Sequence, residues 1–157
     1  MSLAAVNLPK YATVLNGGVA VLGTGASTVG ATAINVDGIS ADAKVCYTAG
    51  AYGGIVESIT ISTTDTAAVT AIIYAMDGAT VHHYGVVVIP LSSGNLGTAP
   101  AVDALNASLG LGSLPMNYVF RRYIPLRPNM TLKVAVLAAM TANKLLICKT
   151  TGVDFVA

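Results

Sequence analysis

Residues 69–91 read Val-Thr-Ala-Ile-Ile-Tyr-Ala-Met-Asp-Gly-Ala-Thr-Val-His-His-Tyr-Gly-Val-Val-Val-Ile-Pro-Leu. Val69–Ala75 is dense in β-branched and aromatic side chains, which favour a pleated strand, and it is apolar on both faces. Asp77–Gly78 is the kind of pair that closes a tight hairpin, because glycine takes positive φ without a steric penalty. Val81–Leu91 then returns as the partner strand, and Pro90, which has no N–H to give to a ladder, ends it. One antiparallel hairpin is therefore written into this stretch.

The same signals continue on either side. Upstream, Lys44–Thr48 reads as a short strand, Gly50–Gly54 as a break, and Ile55–Ser62 as a strand with Ile55, Ile59 and Ile61 on one side of a period-2 pattern. Glu57 shares that parity and Val56 the other, so the alternation is imperfect. Thr63–Thr66 is a polar turn. Downstream, Ser92–Asn117 is a long connection rich in Ser, Gly, Asn, Ala and Pro, with a short helix expected at Ala101–Leu109. Strands are expected at Tyr118–Leu126, Thr131–Ala138 and Lys144–Thr150, with breaks at Arg127–Asn129 and Thr141–Asn143. Gly152–Phe155 reads as a last short strand or a packed end.

Seven or eight strands at a spacing of about 10–12 residues predict an all-β, antiparallel β-sandwich, jelly-roll-like, in a domain spanning 43–157. Period 2 puts Ile59, Ile61, Ile72, Tyr74, Val86, Val88, Val134, Val136 and Ile147 in its core. The first 42 residues differ in texture. Short apolar pieces are broken by Asn16–Gly18, Gly23–Thr28 and Asp37–Gly38, which suits an extended N-terminal arm or short strands. Leu3, Val6, Leu8, Tyr11, Val14 and Leu15 are its densest apolar group. They bury on the order of a few hundred Å², worth several kcal/mol at about 25 cal/mol per Å². Ordering the backbone costs about 1–2 kcal/mol per residue. Those six residues are thus the expected assembly contacts, held by a neighbouring subunit more than by their own domain.

Composition narrows the function. Charged residues are 10% of the 157, against about 25% in an average soluble domain, while apolar residues reach 54% and mean hydropathy is +0.71. The excess asks for cover. A membrane helix is not the answer, since a span needs about 20 apolar residues and Ala67–Met76, Tyr84–Leu91 and Val134–Met140 all fall short. A membrane barrel needs aromatic girdles that a chain with no Trp and two Phe supplies poorly. Cover by other protein subunits remains, as in obligate oligomers. Nucleic acid is not expected as a partner: the net charge is +1 and Arg121, Arg122 and Arg127 are the one basic cluster.

Site chemistry is sparse. His82 and His83 are the two histidines, and neighbours on a strand point to opposite faces, so they do not share a metal. Gly23–Ser27 lacks the spacing and the Gly-Lys-Ser/Thr ending of a phosphate loop. The seven acidic residues include Asp42, Asp65 and Asp77 at expected turns, and Glu57 stands alone on its strand. No catalytic, cofactor-binding or metal-binding residue is assigned, and the chain is not expected to be an enzyme. Met1–Lys10 has no basic segment followed by a sustained apolar core, so synthesis in the cytoplasm is expected, with Cys46 and Cys148 as free thiols.

Ile55–Asp65, Val69–Gly78, Val86–Pro90, Tyr123–Leu126, Leu132–Val136 and the closing Gly152–Phe155 together resemble small tailed-bacteriophage virion proteins, in particular capsid decoration (cement) proteins with a jelly-roll-like fold. The resemblance covers roughly residues 43–157 and rests on pattern, without a diagnostic motif. It implies a trimer or similar oligomer on the surface of the virion capsid, bound to the major capsid protein and to copies of itself, with the N-terminal segment reaching across the shell. Two other readings stay open: a tail, neck or fibre component, and a sugar-binding β-sandwich using Tyr47, Tyr52, Tyr84, Tyr118 and Tyr123 as its platform.

Overall fold

A computed structural model describes residues 12–23, 43–95, 99–106 and 122–156. Among them are nine strands and no helix: β1 (Ala12–Leu22), β2 (Lys44–Thr48), β3 (Gly54–Thr63), β4 (Val69–Asp77), β5 (Thr80–Ile89), β6 (Val102–Asp103), β7 (Ile124–Leu126), β8 (Thr131–Val136) and β9 (Leu146–Val156). All ladders are antiparallel. One sheet runs β1-β9-β3, with β6 and β7 both lying along the far edge of β3; the other runs β2-β8-β4-β5. The chain is an all-β sandwich, as its strand spacing predicts.

The hairpin of β4 and β5 forms in the expected stretch, but Asp77 pairs with Thr80, so its turn is Gly78–Ala79, one residue on from the expected Asp77–Gly78. Gly78 has φ 59°, the conformation that a two-residue hairpin requires at its first position and that glycine alone adopts freely. Further along, Ile73 pairs with Gly85 and Tyr74 with His83, so Tyr84 is an extra residue in β5 and the ladder bulges there.

Between the sheets lie Ile59 and Ile61 from β3, Ala71 and Ile73 from β4, Val87 and Ile89 from β5, Leu132, Val134 and Val136 from β8, and Leu146 from β9. A smaller cluster of Ile72, Tyr74 and Ala135 occupies the other face of β4 and β8. The burial expectation holds for Ile59, Ile61, Val134 and Val136 between the sheets, and for Ile72 and Tyr74 on the other face of β4. It needs correction at three places. Val88 is 46% exposed, and Val86 and Ile147 are half-buried. Pairing of Ala71 with Val87 and Val69 with Ile89 turns the odd-numbered members of Val86–Ile89 inward. A run of four apolar residues carries no parity of its own.

The segment expected as a helix at Ala101–Leu109 begins instead with β6, whose Val102 and Asp103 pair with Ile61 and Thr60. Asp103 then caps a turn by accepting the amides of Leu105 and Asn106. Residues 107–109 lie outside the described residues, as does the 118–121 part of the strand expected before Leu126. The strands expected at Lys144–Thr150 and Gly152–Phe155 merge into one, β9, which starts at Leu146 and pairs with β1 on one side and β3 on the other. Within the expected arm, Ala12–Leu22 is a full strand of the sandwich; 1–11 and 24–42 lie outside the described residues.

Candidate assembly surface

β1 reads Ala-Thr-Val-Leu-Asn-Gly-Gly-Val-Ala-Val-Leu, and its glycines look like a break. They are instead what lets the strand in. β1 forms an unbroken eleven-pair ladder with β9, from Ala12 opposite Val156 to Leu22 opposite Leu146. Its other side comes up against β2 of the second sheet, and there a Cβ on Gly18 would collide with the carbonyl oxygen of Cys46. A side chain at that position would push the sheets apart. β1 and β2 thus close one flank of the sandwich.

Polar groups fasten the same flank. The Tyr47 hydroxyl donates to Asp154 Oδ1 at 2.8 Å, and Asn16 Nδ2 donates to Asp154 Oδ2 at 2.6 Å and to the Thr48 carbonyl at 2.9 Å. The Thr150 hydroxyl donates to the Cys46 carbonyl, and the Gly18 amide donates to Thr150 Oγ1 at 3.1 Å. Burial of Tyr47, then its bond to Asp154 and the charges of Asp154 and Glu57, push its phenol above its ordinary pKa; the bond with Asn16 pulls the other way.

With β1 anchored so firmly, what it shows to solvent is unexpected. Ala20 and Leu22 point into the core, while the alternate positions Leu15, Val19 and Val21 are 87%, 59% and 36% exposed. Val14, near the strand's start, is 54% exposed, and Val45 on neighbouring β2 is 45% exposed. A strand held by its backbone and by one face leaves the other face free for a partner, and Leu15, Val19 and Val21 in a row on that face exceed the usual scatter of single exposed residues.

Of the expected contact residues, Val14 and Leu15 stand on this exposed strand. Leu3, Val6, Leu8 and Tyr11 lie outside the described residues. Val19, Val21 and Val45 were not singled out from the sequence, because which face of these strands stays open depends on the strands laid beside them. The clasp of Asn16, Tyr47 and Asp154 was equally invisible, since Asp154 lies 138 positions from Asn16 and 107 from Tyr47.

Elsewhere the residues with chemical potential are dispersed or structural. His82 lies opposite Ala75 and His83 opposite Tyr74, on opposite faces; His83 leans on the Tyr74 ring with centroids 5.9 Å apart. Among the described residues no three His, Cys, Asp or Glu side chains gather into a possible metal site, and no helix is long and apolar enough to cross a membrane. Asp65 is buried and spends its carboxylate on the β9-side loop, accepting the Thr141 hydroxyl at 2.6 Å, the Thr141 amide at 2.9 Å and the Ala67 amide at 3.1 Å. Arg127 pairs with Asp77 at 3.0 Å in the open, and Arg122 reaches the Leu105 carbonyl at 3.5 Å. Of the tyrosines considered for a sugar platform, Tyr47 is buried in the clasp, Tyr84 packs against the core, Tyr123 is half-buried and Tyr52 is exposed, while Tyr118 lies outside the described residues.

Comparison with known proteins adds little to this geometry. No protein-family model matches the chain, and no curated protein does. Among solved structures, the chain is similar to one in the Cyanophage Pam1 capsid asymmetric unit, at 16% identity and a TM-score of 0.46, over 100% of this chain and 94% of that one.

Proposed function

We propose that this chain is a non-enzymatic virion structural protein, a capsid decoration or cement protein that sits on the outside of a phage shell. It binds the major capsid protein and copies of itself, as a trimer, and β1 with its flanking segments is the docking element. The observation that carries this reading is the exposed apolar side of β1, with Leu15, Val19 and Val21 pointing outward from a strand that eleven ladder pairs hold rigid. Covering a Leu or Val side chain is worth about 1.5–3 kcal/mol, so a few such residues supply a useful contact in each copy. Many copies on one lattice multiply a weak contact into a firm shell. Leu3, Val6, Leu8 and Tyr11 extend the contact along the same chain segment as Val14 and Leu15.

The test uses shells assembled from the major capsid protein of the same genome. The wild-type chain is expected to co-sediment with them, and the Leu15→Asp/Val19→Asp variant to stay in the supernatant while keeping its circular dichroism spectrum. Wild-type chain that never sediments with shells, or gold label found at the tail of intact particles, overturns the decoration role; tail label moves the protein to the tail or fibre class. Variant chain that binds shells as tightly as wild type removes β1 as the docking element.

A further inference from the structure

The closed flank holds a second feature that docking does not use. In β2, Val45 pairs with Lys133 and Tyr47 with Leu132, so Cys46 is an inserted residue without a ladder partner. The bulge turns both Cys46 and Tyr47 inward, where they are 1% and 2% exposed. Cys148 on β9 is fully buried in the same apolar cluster, and both cysteines are free thiols. The two thiols lie close enough to act on each other's ionisation, and Cys46 Sγ donates to the Leu132 carbonyl at 3.4 Å. Their backbones are held in that relation independently. Thr150, two residues beyond Cys148 and on the same face of β9, donates its hydroxyl to the Cys46 carbonyl.

We infer that Cys46 and Cys148 form a latent cross-link between the two sheets, closed to a disulfide when a small-molecule disulfide accepts the electrons. In the first step one cysteine, as thiolate, attacks the small disulfide, forms a mixed disulfide and releases one small thiolate. The second cysteine then attacks the protein sulfur of that mixed disulfide, forming the Cys46–Cys148 bond and releasing the second small thiolate. The two cysteine protons end on the two released thiols. The protein pair loses two electrons and the small disulfide gains them.

Location explains why such a pair stays reduced without being inert. The neighbouring Cys148 thiol, then burial, raises the Cys46 thiol well above its ordinary pKa, and neither residue meets solvent. Attack therefore waits for the β1–β2 flank to open. Once closed, the link joins residues far apart in sequence and from different sheets, the case in which a cross-link most restricts the unfolded chain. The inference stands apart from the decoration role, since it concerns the isolated chain.

The full-length protein is equilibrated with mixtures of reduced and oxidised glutathione, folded in buffer and unfolded in guanidinium. Equilibrium is approached from both the reduced and the oxidised side, followed by acid quench, alkylation and intact mass. The expected result is a species two hydrogens lighter than the dithiol, with a peptide map joining Cys46 to Cys148. Its effective concentration in the folded protein should exceed that in the unfolded one by about tenfold or more. The oxidised protein should also melt at a higher temperature, and Cys148→Ser should yield only the glutathione adduct at Cys46. A folded protein that favours the dithiol more than the unfolded chain does, or products limited to glutathione adducts and chain-to-chain dimers, overturns the inference.

Discussion

The Tyr47 hydroxyl in one sheet donates to the Asp154 carboxylate in the other at 2.8 Å, and Asn16 on β1 completes the junction at 2.6 Å from the second carboxylate oxygen. Three strands from two sheets meet at a single side chain. Cross-sheet polar links of this kind set how the layers sit relative to each other, which packing of small apolar side chains alone leaves loose.

Tyr47→Phe is expected to cost about 1–2 kcal/mol at neutral pH, by removing a bond to a charged acceptor. The pH dependence carries a definite sign. A phenol whose folded pKa is raised contributes stability below its unfolded value, about 10, and loses it as pH rises through the folded value. Urea unfolding of both proteins between pH 7 and 11 should show the gap narrowing above about pH 10. A gap that widens with pH would contradict the arrangement.

Asp65 has the opposite sign. Burial opposes its ionisation, but the hydroxyl and amide of Thr141 and the amides of Ala67 and Thr66 together outweigh it and hold the carboxyl below its usual value. Its contribution is complete above the unfolded value, about 3.9, and is lost as pH falls through the folded value. Asp65→Asn should therefore cost about 1–3 kcal/mol at pH 7, with the difference shrinking below about pH 4. Thermal melts at pH 3 and pH 7 check this; an equal deficit at both would assign the loss to packing.

Val87 and Val88 are neighbours with opposite fates, 1% and 46% exposed. Val87→Ala should cost about 2 kcal/mol through lost burial and the cavity left between the sheets, and Val88→Ala less than about 1 kcal/mol. Chemical denaturation of the two variants reads the register of β5 directly, and a reversed order would place the bulge elsewhere.

Gly18→Ala puts a methyl group against the Cys46 carbonyl, which is backbone and cannot swing aside. A loss of about 1–3 kcal/mol is expected, together with faster hydrogen exchange along β1. An alanine tolerated without loss would show that β1 and β2 stand further apart.

Several features of this protein follow from sequence order alone. The hairpin at residues 69–89, the strand at 54–63, the antiparallel all-β class and the scarcity of catalytic groups are all readable from period-2 spacing, turn residues and composition. Each depends on residues close together in the chain, where the physics is local. What local pattern does not carry is which strand lies beside which. Asn16–Gly18 reads as a break because glycine and asparagine favour turns; it becomes the middle of an eleven-residue strand only because Thr150 and Cys46 leave no room for a side chain. Val86–Ile89 has no parity until Ala71 and Val69 take their partners. The β1–β9 ladder, the Tyr47–Asp154 link and the nearness of Cys46 to Cys148 all join segments more than a hundred positions apart. Tertiary structure decided those, because pairing between distant strands rewards the chain only after loop closure has brought them together, and no local propensity records that reward.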